Sequence, residues 1–348
     1  MAKQGRMTKR AITSYDVAKA AGVSQSAVSR AFSPTASIAD KTRKHVMKVA
    51  RELGYQPNAI ARSMSSARTD TRQKSGIVGV IATRIQDPFF AHTMANFSAL
   101  LQDKGWHMLL FTVDSPEDVD DAMHSIMQFK VDGVVILSAI LSEQMAETCK
   151  ANGTPVMLYN RQAESSGISS VQIDNYAGGK LAAEVLLDAG LERIAFIGGP
   201  EPDKTSEERE RGFKERLSDD GVGLFGRETG DFTFESGREA AARLFSQRER
   251  PDAIFCASDV MALGVLHAAR FEFDLEVPSD VSIVGFDDIP SAAWPGHQLT
   301  SIRQPIRRMI REAVGILIEQ MENPDFTPEI VSYPGVLFMR KTVRSRPE

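Results

Sequence analysis

The sequence has 348 residues, 42% of them hydrophobic and 25% charged, an ordinary composition for a soluble globular protein of two or three domains. Cys149 and Cys256 are too few for a disulfide framework or a four-thiolate metal site, and no apolar run approaches the roughly 20 residues that span a bilayer. The net charge of −5 joins two opposed parts: residues 1–74 hold 15 Lys and Arg against 4 Asp and Glu, a net of +11, while the remainder holds 26 against 42, a net of −16. A basic head on an acidic body is the asymmetry of a chain whose one end meets a polyanion. The basic start MAKQGRMTKR has no apolar stretch behind it, so a secretory signal is not expected and the protein is expected in the cytoplasm, with no membrane partner.

The head reads as three short helices. Thr13 or Ser14 can cap a first helix over 15–21, with Asp16 in its first turn. Gly22 follows as a turn residue, and Ser24 is a natural cap for a second helix over 25–32, which Ser33-Pro34-Thr35 ends. A third helix near 40–53 carries Val46, Val49, Ala50 and Leu53 on one face, with Gly54 at its C-terminal cap. Val17, Ala18, Ala21, Val23 and Val28 are small enough for the first two helices to cross closely. Two helices joined by a short turn containing Gly make a helix-turn-helix, whose second helix enters the DNA major groove. With Val28 inward, Gln25, Ser26 and Arg30 point outward to read bases, Arg by bidentate bonds to guanine and Gln to adenine. Lys19, Arg43, Lys44 and Lys48 are the expected backbone-phosphate contacts.

Past Tyr55-Gln56-Pro57, residues 58–64 read as one more short helix, and the polar run that follows, to about residue 75, reads as a linker. Buried-type strands then alternate with helical patterns. Strands are expected over 77–82, 108–111, 134–137 and 156–158, then over 194–197, 253–256 and 281–286, with a further one near 230–232. Helices are expected over 90–104, 118–129, 176–189, 207–217, 235–245 and 305–321. Two such series mean an α/β body of two doubly wound parallel-sheet subdomains. The division expected is a head over 1–65 that includes the short helix at 58–64, a linker over 66–75, and a body over 76–348. Its first subdomain takes 76–172 plus 304–323, and its second takes 173–303 plus 324–348.

Open α/β sheets bind ligands at the carboxyl ends of their strands. The residues there are Arg84, Asp87, Phe89 and Phe90; Asn160 and Arg161; Asp203, Thr205 and Arg209; Ser258 and Asp259; and Asp287, Asp288 and Trp294. Hydrogen-bonding groups beside aromatic faces suit a polyhydroxylated ring. Arg84, Arg161 and Arg209 point to an anionic sugar while Asp259 and Asp287 oppose it, so neutral sugar and sugar acid both stand. Asp174-Asn175 reads as a helix cap, and Phe89 and Phe90 serve equally well as core. The six histidines fall in no metal-ligand spacing, and no G-x-S-x-G elbow, P-loop or early G-x-G-x-x-G is present, so neither an enzyme nor a cofactor is expected.

The stretch from Ile12 to Met64 resembles the head of the LacI/GalR family of bacterial regulators. The family opening, roughly T-x-x-D-V-A-x-x-A-G-V-S-x-x-T-V-S-R, stands here from Thr13 to Arg30, with Ala27 where Thr is usual. The resemblance runs through the whole chain. It implies a body similar to periplasmic sugar-binding proteins and a homodimer on a near-palindromic double-stranded operator. It also implies a hinge helix at Asn58–Met64, with Ala61 at the close approach of two such helices and Met64 as the minor-groove wedge where leucine is usual. Positions matching Phe89, Asn160, Arg161, Arg209, Phe232, Asp259 and Asp287 line the effector pocket in that family, with Trp294 in the segment that adds an aromatic wall. The function implied is a ligand-responsive repressor controlled by a sugar or sugar acid.

Overall fold

The computed structural model describes residues 12–32, 36–55, 74–161, 167–323 and 325–345. They fall into two units, Met1–Ser75 and Gly76–Glu348. The hinge residues Asn58, Ala61 and Met64 lie outside the described residues, as does most of the linker.

The head contains α1 (Ser14–Ala21), α2 (Gln25–Ala31) and α3 (Asp40–Leu53). Thr13 starts α1 through a capping box: its hydroxyl accepts from the Asp16 amide, and the Asp16 carboxylate accepts from the Thr13 amide at 2.8 Å. Gly22, at φ 65°, ends α1 in the left-handed region, and Ser24 caps α2 two residues later by accepting from the Ala27 amide. Val17, Ala18, Ala21, Val28, Ala31, Val46 and Ala50 form the core of the three helices. Leu53, expected on the inner stripe of α3, is 37% exposed; Tyr55 packs there instead, its ring edge-on to Phe32 at 5.7 Å.

The body runs β1 (Ile77–Thr83), α4 (Pro88–Asp103), β2 (His107–Val113), α5 (Val119–Met127), β3 (Gly133–Leu137), α6 (Glu143–Ala151), β4 (Val156–Tyr159), β5 (Ser169–Ile173) and α7 (Asn175–Asp188). It continues with β6 (Ile194–Gly198), α8 (Lys204–Asp219), β7 (Gly226–Thr229), α9 (Phe234–Phe245), β8 (Ala253–Cys256), α10 (Asp259–His267), β9 (Ser282–Asp287), β10 (Thr300–Arg303), α11 (Ile306–Glu322), β11 (Ile330–Tyr333) and β12 (Val336–Phe338). The first sheet has the order β11-β5-β4-β3-β1-β2, all parallel. The second has the order β12-β10-β9-β8-β6-β7, parallel except where β12 meets β10. Both are doubly wound, with a switch point between the first strand of each series and the next but one.

The chain crosses between the subdomains three times, after β5, after β10 and after β11. This corrects the tail expected in the second subdomain: β11 pairs β5 in the first sheet, and only β12 returns to the second. The strand expected near 230–232 is in fact β7, four residues earlier. It is a half-exposed edge strand whose Arg227 and Glu228 hide it from an apolar-run search. Helix α10 escaped because it is buried nearly all round, which leaves no polar stripe for a periodicity to show.

Glycines decide how closely two helix pairs pack, and the α7–α8 pair positions the site. A Cβ on Gly179 would lie 2.1 Å from the Arg209 carbonyl oxygen, and one on Gly212 would lie 2.0 Å from that of Tyr176. Backbone touches backbone there, so only glycine fits, and the contact brings Asn175 on α7 beside Arg209 on α8.

Candidate functional site

On the head, Gln25, Ser26 and Arg30 are exposed on α2 while Val28 is buried, as base reading requires. Each carries only a weak local tether: Gln25 Nε2 donates to Ser14 Oγ at 2.9 Å, Ser26 Oγ lies 2.9 Å from Ser24 Oγ, and Arg30 Nε donates to the Ser26 carbonyl at 3.3 Å. Lys19 and Lys44 are exposed, and Lys48 makes only a solvent-screened contact with Glu52 at 3.9 Å. Arg43 departs from its expected role. Its two terminal nitrogens donate to the carbonyls of Ala31 and Ala36, both at 2.9 Å, so it ties the end of α2 to the connection before α3 rather than standing free for phosphate.

In the body, a cleft open to solvent lies at the carboxyl ends of both sheets. Arg84, Asp87, Phe89, Phe90, Ser138 and Asn160 line it from the first subdomain, and Thr205, Arg209, Phe232 and Asp287 from the second. Five of these have left-handed backbone: Arg84 (φ 49°), Ser138 (54°), Asn160 (58°), Phe232 (65°) and Asp287 (112°). Non-glycine residues rarely adopt it, and such conformations gather at binding sites because they redirect a side chain at a strand end. The Phe232 ring is seated against Gly199, where a Cβ would come within 2.3 Å of it.

Arg209 organises the floor. It is 2% exposed and stacks over the Phe286 ring at 3.5 Å. Its Nε donates to Asn175 Oδ1 at 2.9 Å, one terminal nitrogen donates to the Ala257 carbonyl, and the other lies 3.8 Å from Asp287 Oδ1. Gln304 Nε2 donates to the same Asp287 oxygen at 2.7 Å. Burial pushes the Asp287 carboxyl up to about 7, against the pull of Arg209, and pushes the Arg209 guanidinium down. Asp87 is raised by burial, opposed by the Phe89 amide that donates to it at 2.9 Å, so this carboxylate also caps α4. The neighbouring Asp288 pairs with Arg303 at 2.5 Å and with Arg340 at 2.6 Å.

Six of the expected effector residues line this cleft with Asp287: Phe89, Phe90, Asn160, Thr205, Arg209 and Phe232. Phe89 and Phe90 are both buried and pack edge-on at 5.2 Å, so they are core and wall at once. Three others are placed elsewhere. Asp259 is fully buried beneath the wall, accepting from the Ser301 hydroxyl at 2.6 Å and the Ile289 amide at 2.8 Å; burial and then Asp287 raise its carboxyl well above the usual range. Trp294 is 59% exposed and stacks on His297 at 5.8 Å, away from the lining. Arg161 is half-buried outside the lining, its Nε without a hydrogen-bond partner among the described residues. Asp203 and Asp174 serve as caps, accepting from the amides of Ser206 and Ala177. The cleft adds Ser138, which follows β3, and behind the wall Gln304, which no local sequence pattern marked, and Asn175, which the sequence marked only as part of a helix cap.

A three-helix DNA-binding head and a body of two parallel-sheet α/β lobes with a cleft at their strand ends define a regulator, a protein that binds DNA at one end and a small molecule at the other. Residues 13–58 match the model described as "Bacterial regulatory proteins, lacI family", and residues 183–343 match "Periplasmic binding protein-like domain". The chain is 31% identical to catabolite control protein A of Priestia megaterium over 339 residues, covering 96% of this chain and 99% of that protein. It superimposes with a TM-score of 0.83 and 25% identity on the lac repressor dimer bound to operator and the anti-inducer ONPF, over 96% of this chain and 99% of that one. The CelR–cellobiose complex gives 0.70 and 28%, over 95% and 99%. The chain belongs to the LacI family of bacterial regulatory proteins: it is a DNA-binding transcriptional regulator and not an enzyme.

Proposed function

We propose that this regulator is a homodimeric repressor whose affinity for a near-palindromic operator is set by a sugar or sugar acid bound in the cleft. The observation that carries the effector reading is the composition of the cleft. Rings of Phe89, Phe90 and Phe232 stand beside Asn160, Thr205, Arg209 and Asp287, which gives a stacking face next to directional donors and acceptors. The likeness to a repressor holding an anti-inducer and to a regulator holding cellobiose supports the same reading.

On DNA, each head reads one half-site with Gln25, Ser26 and Arg30, while Lys19, Lys44 and Lys48 hold the phosphates. A ligand that favours one arrangement of the two lobes changes operator affinity only by its difference in affinity for the two states. The test is selection of the purified protein against random duplexes, followed by binding to the recovered sequence with and without candidate sugars. The reading expects an inverted repeat and a sugar-dependent affinity that Asp287→Ala removes. Recovery of sequences without two-fold symmetry would refute the dimeric operator, and an unchanged sugar response in Asp287→Ala would remove the cleft from the mechanism.

A further inference from the structure

Whether the effector carries charge depends on which groups of the cleft still lack a partner. The two carboxylates of the wall are already served. Asp287 faces Arg209 and accepts from Gln304, and Asp87 accepts from the Phe89 amide at the start of α4. Arg209 is served as well, by Asn175, the Ala257 carbonyl and Asp287. Arg84 is different. Among the described residues its half-buried guanidinium makes no direct hydrogen bond or ion pair, its ring contacts are Phe232 and Phe90, and Asp87 and Asp287 attract it only across a distance. It lies 4.4 Å from the Phe232 centroid on one lobe and 5.5 Å from that of Phe90 on the other.

Its backbone is in the left-handed region at φ 49°, which for an arginine costs free energy, and the turn is closed by the Asp87 amide donating to its carbonyl at 2.9 Å. It is near enough to Arg209 to repel it and to Asp87 and Asp287 to attract them, yet it is bonded directly to none of the three side chains. A second group in the cleft is short of a partner: Asn160 is 5% exposed, and among the described residues its side-chain oxygen accepts no hydrogen bond. A buried acceptor left so asks for a hydroxyl donor. Among the described residues the cleft therefore presents a cation with no directly bonded partner and an acceptor with no donor.

Resting on the reading that the cleft binds a hydroxylated effector, we infer that this effector carries a carboxylate or phosphate, which Arg84 binds while a hydroxyl donates to Asn160. Arg84 is then the specificity residue: a neutral sugar leaves its guanidinium without a directly bonded partner, whereas an anion gains a charge-assisted, bidentate one. The stack on Phe232 holds the guanidinium in place for that anion.

The full chain is assayed by thermal denaturation with D-gluconate, D-glucuronate, D-galacturonate, D-glucose 6-phosphate and inorganic phosphate, against D-glucose and D-galactose as neutral counterparts. At about 100-fold over its Kd a binder raises Tm by about 5 °C. At least one hydroxylated anion is expected to do so while its neutral counterpart does not, and the carboxylate and phosphate arms identify which anion is read. Arg84→Gln is expected to weaken that anion about 10- to 100-fold, with Arg84→Lys recovering part of the loss. Circular dichroism of each variant confirms its fold. Protection by a neutral sugar equal to that by its acid overturns the anionic effector while leaving a sugar-binding cleft. Protection by no anion of the panel, or an Arg84→Gln protein that keeps its preference, overturns the assignment of Arg84.

Discussion

Replacing Asp287 by Asn should make the protein more stable as pH rises, relative to the parent. The carboxyl is buried and its pKa is raised from 3.8 to about 7, with burial the largest cause. Between these values the folded chain holds a proton that the unfolded chain has released. The favourable contribution of that proton is fully present below the unfolded value and is lost as pH rises through about 7. Each pKa unit is worth 1.36 kcal/mol, so between pH 5 and pH 8 the parent should lose about 2–3 kcal/mol that the variant keeps. Asn preserves the oxygen that accepts from Gln304. Asp259 and Asp87 are raised in the same direction, and repulsion between the acids adds with the same sign. Urea denaturation of both proteins across this range measures the difference directly. A difference that stays flat from pH 5 to pH 8 would refute the picture of a buried, proton-holding acid on the cleft floor.

On the head, Arg30→Ala should cost about 1–3 kcal/mol on the operator and relax preference at one base pair, as anisotropy on single-base variants would reveal; equal losses on operator and random duplex would contradict base reading. Gly179→Ala should destabilise the body by about 1–3 kcal/mol, because the new methyl meets the Arg209 backbone and not a movable side chain. Gly315→Ala, in the exposed middle of α11 with nothing within 4 Å of the added carbon, should instead stabilise by about 0.5–1 kcal/mol. Melting curves that rank the two glycine variants the other way would show that helix contact does not set the α7–α8 crossing.

The parts of this protein that sequence made legible are those whose cause is local. Thr13, Asp16, Gly22 and Ser24 each act on backbone within three or four residues, so the helix-turn-helix follows from reading them in order. The buried parallel strands β1 and β3 announce themselves as Val- and Ile-rich runs. What escaped depends on partners far along the chain. β5 opens with Ser169 and Ser170, buried polar residues, and Ser169 takes bonds from Gln320 and from the Glu329 amide across some 150 residues. Strand-end position picked out most of the cleft, yet it could not separate Asp287, which faces the cleft, from Asp259, which serves Ser301 and Ile289 behind it. Nor could it reveal that Arg43 is committed to two carbonyls of its own head. Polar residues at strand ends cap helices as often as they meet ligands, and only the fold assigns each to its task.

The central claim is that one molecule couples the cleft to the operator, and coupling of binding free energies must be reciprocal. The direct measurement is the operator Kd with and without the compound that most raises Tm, together with that compound's Kd with and without operator. The account predicts the same factor in both directions, about 5- to 150-fold. A compound that occupies the cleft and leaves operator affinity unchanged would contradict it.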